Sequence, residues 1–101
     1  MALPTDFFPG YTTDGTSITI PLADLSGLIA AEADAATGDG RKVCFELVKQ
    51  IQAAFAALPS APGRMNATVG TPTGVSATVT RRSFQLTFDV DISDADVAAE
   101  V

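Results

Sequence analysis

The sequence predicts an α+β fold: a three-stranded or slightly larger antiparallel sheet with one long amphipathic helix on one face, preceded by an extended N-terminal arm. Three observations carry this. Phe84, Leu86, Phe88, Val90 and Ile92 alternate with Gln85, Thr87, Asp89 and Asp91, a period of two that fits no helix. Cys44, Leu47, Val48, Ile51, Ala54, Phe55 and Leu58 recur instead at helical spacing. The first 15 residues have no period and carry Pro4, Pro9-Gly10 and Asp14-Gly15, residues that make turns.

Residues 1–15 therefore form the arm, and residues 16–101 a single α+β domain. The arm holds Phe7, Phe8 and Tyr11, three of the seven aromatic residues. Rings in an aperiodic segment must dock somewhere, over the edge of the chain's own core or on a neighbouring subunit, or lie exposed. Thr16 to Ile20 alternates polar and β-branched residues and reads as a short strand, which Pro21 stops because proline cannot donate to a ladder. Asp24 to Ala36 is an irregular or briefly helical linker.

The helix is expected to begin after Thr37-Gly38-Asp39-Gly40, where Thr37 or Asp39 can cap free backbone N–H groups, and to end at Leu58 before Pro59. Its apolar stripe places Cys44 inside and Glu46, Lys49 and Gln52 elsewhere on the wheel. Pro59 to Gly63 is a connector. Arg64 to Gly70 alternates as a strand, and Thr71-Pro72-Thr73-Gly74 breaks it.

Val75, Ala77 and Val79 have the opposite parity to the run from Phe84, so a bulge or break is expected near Arg81-Arg82. The last strand is expected to run for about 10 residues, with a wet outer face of Gln85, Thr87, Asp89 and Asp91 joined by Asn66 and Thr68. The tail from Ser93 frays or makes a final turn.

The chain carries 12 acidic and 6 basic residues, a net charge of −6, with no His, no Trp and one Cys. A single Cys rules out an intrachain disulfide. The lack of His rules out the common zinc sites and every triad that uses a His base. An acidic chain repels phosphate backbones, and neither Arg81-Arg82 nor Arg41-Lys42 has the neighbouring aromatics of a base-stacking platform, so nucleic-acid binding is not expected. The N-terminus lacks the basic and apolar regions of a signal peptide, and Ile51 to Leu58 is far shorter than a membrane span, so a soluble, cytoplasmic chain is expected. Seventeen of the 47 apolar residues are Ala, which leaves 30 larger ones for a modest core.

Three groupings bear on chemistry. Asp89, Asp91, Ser93 and Glu100 fall at positions 1, 3, 5 and 12 of a calcium loop, but position 6, which requires Gly, is Asp94, and the first ligand lies within a strand. No metal is expected. Thr37 to Lys42 offers glycines and cations at a helix N-terminus but not the phosphate-loop spacing, and Asp39 would repel an anion, so capping explains it better. Cys44, on the apolar stripe, reads as inert, and Arg81 and Arg82 are expected to pair with strand acids across the ladder. No catalytic set and no cofactor site emerges.

Ile18-Thr19-Ile20-Pro21-Leu22, Thr37-Gly38-Asp39-Gly40-Arg41, Gly70-Thr71-Pro72-Thr73-Gly74 and Arg81-Arg82-Ser83-Phe84 with its Phe-Asp-Val-Asp ending resemble the small acidic virion structural proteins of tailed phages that infect cyanobacteria. The resemblance implies a non-enzymatic capsid or tail component, located in the virion and assembled in the host cytoplasm. It carries over no functional residue. The expected partners are copies of the chain itself, a larger virion protein, or both, with neither nucleic acid nor membrane involved. Phe7, Phe8, Tyr11, Arg81 and Arg82 are the expected contact residues. The alternative is a small monomeric or dimeric protein- or ligand-binding or regulatory module that uses the wet sheet face.

Overall fold

The computed structural model describes residues 2–99. In chain order its elements are α1 (Pro4–Phe7), β1 (Thr12–Thr13), β2 (Ile18–Thr19), a 3-10 turn (Leu22–Asp24), α2 (Gly40–Ala57), β3 (Met65–Val69), β4 (Thr73–Gly74), β5 (Thr80–Arg81) and β6 (Phe84–Phe88). The class is α+β, with one long helix and antiparallel pairing throughout.

The helix forms where capping and proline chemistry place it. Asp39 is the N-cap: its Oδ1 accepts from the Arg41 backbone N–H at 3.0 Å, and its carboxylate also takes the Arg41 guanidinium at 3.1–3.2 Å. Leu58 ends the helix in extended geometry, as the residue before a proline prefers. Upstream, Asp34 organises the connection by accepting from the Ala36 and Thr37 N–H groups, both at 2.9 Å. Gly38 passes so close to the Glu32 and Asp34 carbonyls that a Cβ there would strike backbone.

β3 and β6 pair along their whole length, Met65 opposite Phe88 and Val69 opposite Phe84, so Met65, Ala67, Val69, Phe84, Leu86 and Phe88 share one face. Asn66, Thr68, Gln85 and Thr87 are exposed on the other. α2 packs on this pair, and the Phe45 and Phe84 rings meet with centroids 6.1 Å apart at 58°. The ladder continues through Gly70 and Ser83 into β4 and β5, where Thr73 faces Arg81 and Gly74 faces Thr80. Between Gly70–Ser83 and Thr73–Arg81 one strand advances by one residue more than the other. The expected break near Arg81-Arg82 is therefore present, and its extra residue lies across the ladder, at Thr71-Pro72 opposite Arg82.

Several expectations need correction. The strand read from Thr16 to Ile20 contributes only Ile18 and Thr19, and these pair with Thr12 and Thr13 around Asp14-Gly15 rather than joining the helix-covered sheet. Asp14 holds that turn by accepting from Thr16 and Ser17 N–H groups, and Gly15 supplies the positive φ of 88°. The antiparallel strands thus form three two-stranded ladders. The last strand ends at Phe88, not near Ile92. Beyond it Asp89 still donates to the Arg64 carbonyl, but Val90 then bridges to Val97, and the tail folds back through a turn with Asp94 at φ 61°.

The helix is rotated relative to the sequence stripe. Phe45, which the stripe omits, faces β6, and Cys44, about 100° round the helix, is exposed rather than buried. Glu46, which the sequence places off the apolar stripe, is 1% exposed. α2 is enclosed by three thin layers: the β3–β6 pair, the arm, and the segment around Gly27. No helix among the described residues is long and apolar enough to cross a membrane.

These layers leave a small core. Leu25, Leu28 and Ala67 are the buried apolar side chains among the described residues, while Ile18, Ile29, Val75, Val79, Phe88 and Ile92 are exposed. The accessible surface is 7159 Å², against about 5,400 Å² for a compact monomer of this mass. The radius of gyration is 15.6 Å, against about 13 Å for a compact 100-residue domain.

Candidate functional site

The arm docks on its own chain. Pro4 opens α1 with a fixed φ, and Asp6 Oδ2 accepts from the Leu3 N–H at 2.8 Å to close the turn. Gln50 on α2 donates its Nε2–H to the Phe7 carbonyl at 2.7 Å, which fixes the turn against the helix. Farther along, the Gly10 N–H donates to Asp24 Oδ2 at 2.8 Å, and Pro21 lies where a Gly10 Cβ would sit.

This docking half-buries Phe7, Phe8 and Tyr11 and sets them round an open groove of about 260 Å³ completed by Pro4, Ile51, Met65 and Phe88. Phe88 is 49% exposed there. The three arm rings named from sequence are therefore brought together. Ile51, Met65 and Phe88 complete the groove from three distant places in the chain, and their only sequence signal is membership of the helical stripe and the alternating strands.

Arg81 and Arg82 do not join this site. They stand on the outer hairpin, in which every residue from Gly70 to Ser83 is exposed. They do not pair with strand acids, contrary to expectation. Arg81 lies opposite Thr73, Arg82 stacks its guanidinium over the Phe84 ring at 5.4 Å, and Asp89 pairs instead with Arg64 at 3.7 Å. Asp89 and Arg64 are neighbours at one end of the β3–β6 ladder, where the Asp89 N–H donates to the Arg64 carbonyl, whereas Arg81 and Arg82 lie beyond its other end.

A second cluster surrounds Glu46. Its Oε1 meets Lys49 Nζ at 2.8 Å and Lys42 Nζ at 3.7 Å, and its other oxygen is covered without a hydrogen-bond partner. The hydrogen bond from Lys49 holds the carboxyl below its usual range, burial opposes this, and both lysine charges and the Gly27 backbone reinforce it. Lys49 also sits over the Phe45 ring at 5.0 Å. A carboxylate held ionised between two ammonium groups stores no proton to donate at neutral pH, so its chemistry is that of a structural ion pair.

In the acidic tail, Asp91 accepts from the Ser93 hydroxyl at 2.8 Å and the Ala95 N–H at 3.0 Å, and these bonds hold its carboxyl below the usual range. Among the described residues, no three metal-ligating side chains gather to hold an ion, and Glu100 of the calcium-loop spacing lies outside the described residues. No protein-family model matches the chain, and no curated protein or solved structure shows significant similarity to it.

Proposed function

We propose that this chain is a non-enzymatic structural protein that acts by assembling with copies of itself, with a larger shell or tube protein, or with both, as in a phage capsid or tail. The observation that carries this reading is the apolar surface. The chain exposes roughly 1,800 Å² more than a compact monomer of its mass. That surface includes large aliphatic and aromatic side chains, several of them about half exposed or more: Ile18 at 60%, Ile29 at 62%, Val75 at 54% and Phe88 at 49%. Exposed apolar side chains that gather, as Phe7, Phe8, Tyr11 and Phe88 do round the groove, mark contact with another macromolecule. The arm rings supply one such surface, and the virion setting is what the sequence resemblance suggests.

The double substitution Phe8→Ser/Tyr11→Ser tests the contact role of the arm. Self-association of the purified protein, followed by light scattering, is expected to weaken at least tenfold while the far-ultraviolet circular dichroism stays that of the parent. Unchanged association would remove the arm from the interface.

A further inference from the structure

We propose that copies of this chain join head to tail, the projecting β4–β5 hairpin of one copy seating its Val75–Val79 tip in the arm-lined groove of the next. This rests on the assembly reading and specifies its contact.

The two halves of the contact lie at opposite ends of one ladder. Met65 and Phe88, which line the groove, are paired at one end of the β3–β6 pair, and the hairpin leaves from the other end beyond Val69 and Phe84. Seven further residues carry it outward to its tip near Ala77, a reach of roughly 20 Å at strand spacing. A chain built this way cannot fill its own groove with its own hairpin. The interface is heterologous, and repeating it builds a ring or an open row.

The hairpin's chemistry fits the groove. The Val75 N–H donates to the Val79 carbonyl at 2.9 Å, so the two residues stand opposite each other and their side chains share a face. They are 54% and 51% exposed, a compact aliphatic knob for a groove walled by Phe7, Phe8, Tyr11 and Phe88.

Charge is complementary as well. From Gly70 to Ser83 the chain has Arg81 and Arg82 and no acidic residue, so a hairpin of +2 projects from a remainder of −8 that together make the net −6. Asp6 precedes Phe7, which puts an acid next in the chain to one of the groove's own rings, while Asp89 after Phe88 is already paired with Arg64. Such a pattern favours hairpin-to-body encounters over body-to-body ones.

The test is complementation. Val75→Asp/Val79→Asp disables the hairpin at half-exposed positions outside the core, and Phe8→Ser/Tyr11→Ser disables the groove. Each variant alone is expected to be a monomer by native mass spectrometry, and an equimolar mixture is expected to give a one-to-one heterodimer, because each variant retains the half that the other lacks. A parent protein that associates while the hairpin variant associates equally well, or a mixture that stays monomeric, overturns the head-to-tail contact and leaves assembly standing. A parent that is monomeric at every concentration overturns assembly itself. If the groove variant does not fold, a photocrosslinker on Ala77→Cys in a Cys44→Ser background decides the matter. Crosslinks from the tip to residues 4–11 or Phe88 of a second copy support the contact, and crosslinks confined to other surfaces overturn it.

Discussion

Phe84→Ala is expected to destabilise the fold by about 3 kcal/mol, the range for truncating a large aromatic in a packed contact. The Phe84 ring meets Phe45 at 6.1 Å, takes the Arg82 guanidinium over its face at 5.4 Å, and stands opposite Val69 at the end of the ladder from which the hairpin leaves. With Leu25, Leu28 and Ala67 as the buried apolar side chains among the described residues, the helix–sheet contact depends on half-buried rings more than on a deep core. Domains of this size have total stabilities of about 5–15 kcal/mol, and a thinly packed one sits toward the lower end. The loss of one ring therefore removes much of the margin. Urea denaturation reads it directly, as a lower midpoint with an unchanged slope. A loss below about 1 kcal/mol would mean that another contact holds α2 to the sheet.

The second large effect concerns Glu46. Its carboxyl titrates below its ordinary value near 4.5 in the folded chain because Lys49 hydrogen-bonds it. A depressed folded value means that the stabilisation is complete above the unfolded value and disappears as pH falls through the lower folded one. Stability should therefore fall on acidification below about pH 4.5. Glu46→Gln should remove that contribution and flatten this acid limb. At neutral pH the substitution is expected to cost about 2 kcal/mol, the scale of a hydrogen bond to a charged group. Lys42 and Lys49 are about one-third exposed and can turn to water, which keeps the cost below that of a deeply buried pair. Thermal melts of parent and variant from pH 3 to 7 check both points. Parallel curves would show that Glu46 does not carry the acid sensitivity.

How much of this was legible in the sequence follows from how local the causes are. Asp39 capping and Pro59 bound α2 within a few residues of themselves, and the parity change between Val79 and Phe84 sits inside one hairpin, so both features could be read directly. The burial of Glu46 could not, because it depends on the segment around Gly27 folding over the helix, and that segment has no periodicity. Lys42 at i−4 and Lys49 at i+3 were the available signal. The stripe misplaced Cys44 because the arm and the Gly27 segment each cover part of α2, and a helix enclosed on three sides does not show a single apolar face. Thr16 to Ile20 had strand chemistry, but which partner it takes is set by the Asp14-Gly15 turn, which favours the nearest one. For the candidate site, the arm rings were legible as side chains needing a dock. The groove itself was not, since it joins residues 4–11 to Ile51, Met65 and Phe88 through tertiary contact alone.

Sedimentation velocity of the full chain over a hundredfold range of concentration tests the central claim of assembly most directly. The expected result is a mass that rises with concentration in multiples of 10.4 kDa, with thermal stability rising alongside it because association covers surface that the single chain exposes. A folded species that stays at 10.4 kDa throughout, with a concentration-independent melting temperature, would contradict it.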